Sequence, residues 1–306
     1  MSYSARMQKN HLYSILLAPR GRTRMADAGA QIAQMYLSPF DQLIGILGEA
    51  GSGKSMLIKG MFPGLELTND DEGVNVRPLP LMDQDDTGFF QPHTYHVDIR
   101  FEMGFYQLHE LADAIHLALK RGKRIIVEHF DLVYPILKKN AHLLLGVGEE
   151  IIVTRPSIFG PEPDQVSQIV FRSISYRKMA HSAEELVEHC LRKRNITRYG
   201  HDDVRHGFVL SFEGKPDIDL VDLEEEVQEM IEAQIPISYH DDNHILLGDE
   251  ELYCTGPRMH VENTSDISSF QLHHDFIREA ITGQYLLVGI VGVETDNLLD
   301  LNKIIN

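Results

Sequence analysis

Cysteine, long apolar runs and basic residues are all scarce in this 306-residue sequence. Two cysteines, Cys190 and Cys254, are too few for a disulfide framework, so a reducing, cytoplasmic setting is expected. No apolar run approaches the roughly 20 residues that a membrane-spanning helix needs. The N-terminal residues also lack the apolar centre and the cleavage site of a signal peptide. We therefore expect a cytoplasmic protein without a membrane partner.

Basic residues are outnumbered, with 28 Lys and Arg against 46 Asp and Glu and a net charge of −18. Such a surface repels nucleic acid unless basic side chains are segregated into a patch. Two basic runs exist, KRGKR at 120–124 and RKRNITR at 192–198. Both are more typical of solvated helix ends than of a tRNA-binding surface. The charge thus disfavours tRNA as a partner but does not exclude it.

The stretch ILGEAGSGKS at 46–55 carries the pattern G-x-x-x-x-G-K-[ST] of a phosphate-binding loop. An apolar run that predicts a strand precedes it, and a run that predicts a helix follows it. Its glycines allow backbone N–H groups to face a phosphate at the helix N-terminus. We expect Lys54 to reach the β- and γ-phosphates of ATP or GTP, and Ser55 to hold Mg²⁺. The predicted nucleotide-binding residues are Gly48, Glu49, Ala50, Gly51, Ser52, Gly53, Lys54, Ser55 and Met56.

Helices and strands alternate around this loop. The residues at 24–37 and 105–123 predict amphipathic helices, and those at 124–130 and 149–155 predict buried strands. This alternation predicts an α/β P-loop domain with a three-layer parallel sheet.

A second domain is expected beyond a proline-rich stretch at 156–164, which we interpret as a linker that ends there or slightly later. Two predicted helices, at 182–194 and 221–237, and several short strands follow it and indicate an α+β domain with an antiparallel sheet. The predicted organisation is an N-terminal extension at 1–22, a nucleotide-binding domain at 23–165 and a second domain at 166–306.

The first domain resembles a known enzyme family in four stretches that occur in order. They are the GEAGSGKS loop, MDQDDTGFF at 82–90, YHVDIRFEMGF at 95–105 and GKRIIVEHFDL at 122–132. With them, residues 43–155 resemble the uridine kinase and phosphoribulokinase branch of P-loop kinases. The resemblance implies a phosphotransferase that uses ATP or GTP with Mg²⁺ and a small-molecule acceptor.

The same resemblance implies roles for several carboxylates in addition to the catalytic Lys54. In the family, an acidic residue shortly after the second strand accepts the proton of the substrate hydroxyl, so Asp83, Asp85 and Asp86 are the candidate bases. Asp98 falls where the family has an Asp in its substrate segment. Glu128 ends a strand beside the loop, where a carboxylate can orient Mg²⁺ or its bound water.

The second domain resembles another family over about 115 residues. The matching stretches are AHSAEELVEHCLRK at 180–193, DDVRHGFVLSF at 202–212, DLEEEVQEMIEAQIPI at 222–237 and YCTGPRMHVENTSDISSFQL at 253–272. They resemble, in order, segments of the second additional domain of threonyl- and alanyl-tRNA synthetases. That family has an α+β fold and hydrolyses mischarged aminoacyl-tRNA.

The second resemblance implies a metal site, for which the matching positions are His181, Glu185, Cys254 and His260. His181 and Glu185 are four residues apart and share one helix face, as a common metal requires. Glu185 stands where the family has histidine, and five residues separate Cys254 from His260 where the family has three. A His/Glu/Cys/His set still suits Zn²⁺, because carboxylates are accepted zinc ligands. The alternative is a related fold that binds no metal.

Three functions remain open from the sequence. The first is a nucleoside-kinase-like phosphotransferase whose second domain binds substrate or regulates. The second is an aminoacyl-tRNA trans-editing hydrolase with a nucleotide switch, and the third is a nucleotide-binding protein without catalysis. The kinase function is weakened by the lack of a recognisable arginine-rich lid, because Arg155 is followed only by PSIFGPEP. The editing function is weakened by the net charge and by the missing second histidine.

Overall fold

The computed structural model describes residues 13–68, 79–82, 93–156, 158–295 and 297–303. These residues form two compact units. The first comprises the described residues up to Leu16 and those from Met25 to Arg172. The second comprises Leu17–Arg24 and the described residues from Ser173 onward. The boundaries proposed from the sequence lie instead after residues 22 and 165. Among the described residues, no helix is both long and apolar enough to cross a bilayer.

The first unit is built on a six-stranded sheet in the order β1-β6-β5-β2-β4-β3. Strands β2, β4 and β5 are parallel neighbours, and β3 is parallel to β4. Their apolar runs fit this arrangement, because strands of a parallel sheet are covered on both faces. The strands are β1 (Tyr13–Leu17), β2 (Leu43–Leu47), β3 (Thr94–Asp98), β4 (Arg124–Glu128), β5 (Leu143–Val147) and β6 (Glu150–Thr154).

One pair in this sheet differs from the parallel arrangement that the sequence predicts. β6 runs antiparallel to β5, with Val147 opposite Ile151. Only Gly148 and Glu149 lie between the two strands, which is too short for the crossover that a parallel pair needs. The α/β fold class is confirmed, as a mixed and mostly parallel sheet.

Four described helices lie wholly in the first unit, and the helices at 22–36 and 163–193 belong partly to the second unit. They are α1 (Arg22–Tyr36), α2 (Lys54–Met61), α3 (Ile99–Glu102), α4 (Leu108–Lys120), α5 (Phe130–Leu137) and α6 (Pro163–Lys193). In α4, Leu111 and Ile115 pack in one core with Val127 and Leu144 of the sheet. β3 and β4 lie on one side of β2, and β5 and β6 lie on the other, so the direction in which the chain crosses the sheet changes at β2. At such a switch point of an α/β sheet, ligands bind at the carboxyl ends of the strands.

The second unit contains two antiparallel sheets, which confirms the predicted α+β class. One has the order β11-β10-β9, and the other has the order β12-β14-β8-β7 with β13 paired to β14. A core of Leu186, Phe208, Leu223 and Leu287 joins the helices to these strands. The elements are β7 (Gly200–Val204), β8 (Gly207–Phe212), α7 (Leu220–Glu232), β9 (Ile237–Asp241), β10 (His244–Leu247), β11 (Glu250–Tyr253), β12 (Gln271–Leu272), β13 (Ile277–Arg278) and β14 (Tyr285–Ile290).

Candidate phosphate-binding loop and metal centre

The GEAGSGKS segment joins the end of β2 to the start of α2 and depends on glycine backbone conformations. Gly48, Gly51 and Gly53 have φ angles of 142°, 79° and 91°, which favour glycine. A Cβ on Gly48 would also lie 2.5 Å from the carbonyl oxygen of Val147. The loop therefore turns tightly at the carboxyl end of a central strand and leads directly into a helix N-terminus, the arrangement that suits a phosphate.

Lys54 is held inside this loop, with only 5% of its surface exposed. Its Nζ donates to the carbonyl of Glu49 at 2.7 Å and lies 3.8 Å from Oε2 of Glu128. Burial lowers the pKa of Lys54, and the charge of Glu128 opposes that shift. The ammonium group thus stands between the loop backbone and a carboxylate, where it can meet a phosphate oxygen.

Glu128 connects the loop to the end of β4. Its Oε1 accepts from the Ser55 hydroxyl at 3.3 Å and lies 3.1 Å from Nε2 of His96. The backbone N–H of Thr68 donates to Nδ1 of His96, so we place the imidazole proton on Nε2, facing Glu128. Burial raises the pKa of Glu128, but this hydrogen bond and the charge of Lys54 leave the pKa lowered overall. Ser55 and Glu128 therefore offer adjacent oxygen donors, which suit Mg²⁺.

Asp98 lies next to Glu128 at the same edge of the sheet, since the two residues are register partners on β3 and β4. Its Oδ1 accepts a hydrogen bond from the N–H of Phe101 at 3.1 Å, which caps the N-terminus of α3. One donor atom each from Asp98, Glu128 and His129 lies within 4.8 Å of the others. Burial lowers the pKa of His129, which favours a neutral imidazole. The predicted substrate residue is thus close to the phosphate loop.

Two groups named in the sequence analysis are not part of the described site. Asp83, Asp85 and Asp86 lie outside the described residues, so their role as candidate bases stays a prediction. Arg155, after which the sequence shows no recognisable lid, contacts both carboxylate oxygens of Asp41 at 2.7 Å. It stabilises the packing of the first unit at that carboxylate.

In the second unit, the four predicted metal ligands converge. His181 and Glu185 lie on α6, and Cys254 and His260 lie in the segment after β11. One donor atom from each of the four lies within 4.8 Å of the others. Sγ of Cys254 is 3.3 Å from Nε2 of His181 and 3.3 Å from Nε2 of His260. With usual zinc bond lengths, donor atoms of a tetrahedral site lie roughly 3.3–3.8 Å apart, so this spacing fits zinc.

A polar side chain lies beside Nδ1 of each histidine. Nδ1 of His260 is within hydrogen-bond distance of Oγ of Ser182, at 3.2 Å, whereas Nδ1 of His181 is 3.6 Å from Oε2 of Glu184 and makes an electrostatic contact without a hydrogen bond. With protons on these Nδ1 atoms, both Nε2 lone pairs face Cys254. A hydrogen-bonded partner such as Ser182 fixes the ring orientation of a histidine ligand and raises its basicity. The surroundings of the ligands therefore support the assignment to a metal.

The charges of the four donors depend on burial. Burial raises the pKa of Glu185 to about 7, and it raises the pKa of Cys254, with Glu185 adding to the shift. Burial lowers the pKa of His260 well below its usual range, which keeps the imidazole neutral. Burial makes the charged forms of Cys254 and Glu185 unfavourable, but a bound divalent cation stabilises the thiolate and the carboxylate. The residues present thus fit zinc chemically as well as geometrically.

Side chains of the basic run at 192–198 make local ion pairs. Nη1 of Arg192 lies 3.3 Å from Glu188, and Nη2 of Arg194 lies 2.7 Å from Glu226. These contacts fit the interpretation of a helix end, since α6 finishes at Lys193.

Sequence reasoning overlooked several residues that complete the two sites: His96, His129, Ser182 and Glu184. One signal was present for His96, because His96 and Asp98 are two residues apart in an apolar strand and so face the same side. Comparisons with protein-family models and with curated protein sequences find no match to this chain.

Proposed function

We propose that the first unit binds ATP or GTP with Mg²⁺ and transfers the γ-phosphoryl group to a small-molecule acceptor. The observation that carries this proposal is the convergence of Lys54, Ser55 and Glu128 at a glycine loop that begins a helix. The resemblance of residues 43–155 to nucleoside kinases supplies the reaction class.

Each residue of the proposed site has a distinct task. The loop N–H groups and Lys54 hold the β- and γ-phosphates and stabilise the charge that spreads over the transferring group. Ser55 and Glu128 would hold Mg²⁺, directly or through water, and the ion neutralises phosphate charge when bound. Asp98 is positioned to contact the acceptor. One of Asp83, Asp85 and Asp86 accepts the hydroxyl proton as the acceptor oxygen bonds to the γ-phosphorus and the diphosphate leaves.

Binding of a fluorescent ATP analogue with Mg²⁺ tests the first step. We expect Lys54→Ala to lower the affinity at least tenfold, about 1.4 kcal/mol, because it removes the cation held inside the loop. Lys59→Ala is the matched control, since Lys59 belongs to the same helix and its change should leave the affinity unaltered. Equal affinities for the wild type and Lys54→Ala would overturn the proposal. Turnover against a panel of nucleosides then separates a kinase from a nucleotide-binding protein without catalysis.

The four-residue centre favours a second candidate function. A zinc ion held by His181, Glu185, Cys254 and His260 would suit a hydrolase related to the synthetase editing domains, with the first unit as a nucleotide switch. Deacylation of mischarged aminoacyl-tRNA tests this function. Activity that disappears in Cys254→Ser but persists in Cys190→Ser would support it, and no deacylation by the zinc-loaded chain would leave the centre a structural one.

A further inference from the structure

A second group of metal-binding side chains lies in the second unit, on the same helix as the first. Glu184 and Glu188 are four residues apart on α6, and His201 lies on β7. One donor atom from each of the three lies within 4.8 Å of the others. The zinc centre proposed above takes none of them as a ligand.

Each of the two carboxylates uses one oxygen for a fixed partner and turns the other towards the histidine. Oε2 of Glu184 accepts from Nε of Arg20 at 2.9 Å, and Oε2 of Glu188 accepts from the hydroxyl of Tyr199 at 3.1 Å. The two Oε1 atoms both lie 3.3 Å from Nδ1 of His201. Polar partners that orient ligands in this way are typical of metal sites. These partners leave both Oε1 atoms facing His201, and Oε1 of Glu184 is within hydrogen-bond distance of Nδ1.

The two carboxylates of this group are buried, whereas the histidine is partly exposed to solvent. The side chains of Glu184 and Glu188 are 3% and 10% exposed, whereas that of His201 is 40% exposed. Arg20 contacts Oε2 of Glu184 and Arg192 contacts Oε2 of Glu188, while the Oε1 atom of each carboxylate faces Nδ1 of His201. A distance of 3.3 Å is long for a charge-assisted hydrogen bond but matches the separation of two ligands on one ion. The partly exposed histidine leaves solvent access to such an ion.

We propose that Glu184, Glu188 and His201 form a second divalent-cation site that keeps coordination positions open to water. Two carboxylate oxygens and one imidazole nitrogen make a harder donor set than that of the zinc centre, which contains a thiolate. We therefore expect Mn²⁺ to prefer this second site to the zinc centre. Glu184 also contacts His181 through Oε2 at 3.6 Å, so one carboxylate touches ligands of both sites. The proposal requires neither nucleotide binding nor zinc at the first centre.

Titration of the metal-free full-length chain with Mn²⁺ alone, followed by loss of the free-ion electron paramagnetic resonance signal, tests this site. The hydrogen bond to Glu184 raises the pKa of His201, so the titration is made at about pH 8, above the usual range of histidine. We expect Glu188→Gln and His201→Ala each to weaken the binding of one Mn²⁺ by roughly 100-fold or more, beyond the usual effect of an outer partner. Glu188→Gln preserves volume and His201 is partly exposed, so both variants should fold, which circular dichroism verifies.

His274→Ala is the matched control, because this exposed histidine also lies 3.3 Å from a carboxylate, that of Glu224, but belongs to no metal-binding group found among the described residues. Its Mn²⁺ binding should equal that of the wild type. The competing arrangement is a protonated His201 paired with two carboxylates and no metal. Retention of wild-type Mn²⁺ binding by either Glu188→Gln or His201→Ala, or no bound Mn²⁺ in the wild type, would overturn the proposal.

Discussion

The proposed phosphate loop of the first unit and the proposed zinc centre of the second are built in opposite ways. The loop takes its shape from consecutive residues at 48–55, where three glycines adopt conformations that other residues avoid. The zinc centre takes its donors from two segments 73 residues apart, between His181 and Cys254. The loop depends on local backbone geometry, whereas the zinc centre depends on tertiary packing. A change of one side chain should therefore disable the two sites in different ways.

The largest expected effect is the loss of zinc from Cys254→Ser. Removing the thiolate takes away the softest ligand, so zinc affinity should fall by more than about 100-fold, beyond the effect of losing an outer partner. Elemental analysis should find close to one zinc per wild-type chain and almost none in the variant, with Mn²⁺ excluded from the buffers.

Cys190→Ser is the matched control for that measurement. Cys190 is also buried on α6, but its sulfur lies 3.8 Å from the sulfur of Met230 and outside the four-residue cluster. Its zinc content should equal that of the wild type. Loss of zinc from both variants would indicate unfolding instead of loss of a ligand, and the comparison between local and distributed sites would fail.

A change of base in the first unit should have the next largest effect. Replacing the true base among Asp83, Asp85 and Asp86 by Asn should lower turnover by roughly 100-fold, because a positioned general base contributes about that much. The affinity for ATP should stay nearly unchanged, which binding and steady-state kinetics measure separately. Full activity in all three Asn variants would show that another residue is the base.

The pH dependence of zinc affinity should separate the two units further. In the metal-free fold, the raised pKa values of Cys254 and Glu185 mean that zinc must displace protons. Affinity should therefore rise with pH, about tenfold per unit for each displaced proton. Because the pKa of Glu185 is raised to about 7, zinc displaces protons from both Glu185 and Cys254 below pH 7. Above pH 7 it displaces a proton from the Cys254 thiol alone.

Competition titrations at pH 6, 7 and 8 measure this slope, with Glu185→Gln as the comparison because it has no carboxyl proton to lose. The slope of the variant should be shallower than that of the wild type below pH 7 and equal to it above. An affinity that does not change between pH 6 and pH 8 would mean that Cys254 does not bind the ion as a thiolate.

The smallest expected effect concerns His96, which orients Glu128. His96→Phe removes the Nε2–H donor, so the gain in ATP affinity on adding Mg²⁺ should shrink by up to about tenfold, the lower range for an outer partner. Affinity measured in a chelator should not change, which makes that measurement an internal control. Equal loss with and without Mg²⁺ would indicate general disruption of the loop.

The difference between the sites also explains how much could be predicted. The loop and the strand and helix beside it were readable because Gly48, Gly53 and Lys54 are close in sequence. The antiparallel turn of β6 was missed because an apolar run does not reveal strand direction. In the second unit, convergence of the four ligands followed from a resemblance and not from spacing.

Apart from His96, the supporting residues could not be predicted from the sequence. Ser182 and Glu184 lie in a stretch of α6, residues 179–191, in which every residue is buried, and packing brings Ser182 to His260 and Glu184 to His201. His129 adopts a left-handed backbone conformation with a φ of 54°, a feature that depends on the turn from β4 into α5. The orientation of a ligand by its neighbours thus depends on tertiary packing, although the residue types alone suggest which side chains could take part.

The most direct test of two separate cation-dependent sites measures both ligands on the same three proteins. Nucleotide affinity with Mg²⁺ and zinc content are determined for the wild type, Lys54→Ala and Cys254→Ser. We predict that Lys54→Ala loses nucleotide affinity at least tenfold and keeps its zinc. Cys254→Ser should lose zinc while it still binds nucleotide. Retention of wild-type nucleotide affinity by Lys54→Ala, or of zinc by Cys254→Ser, would contradict the account.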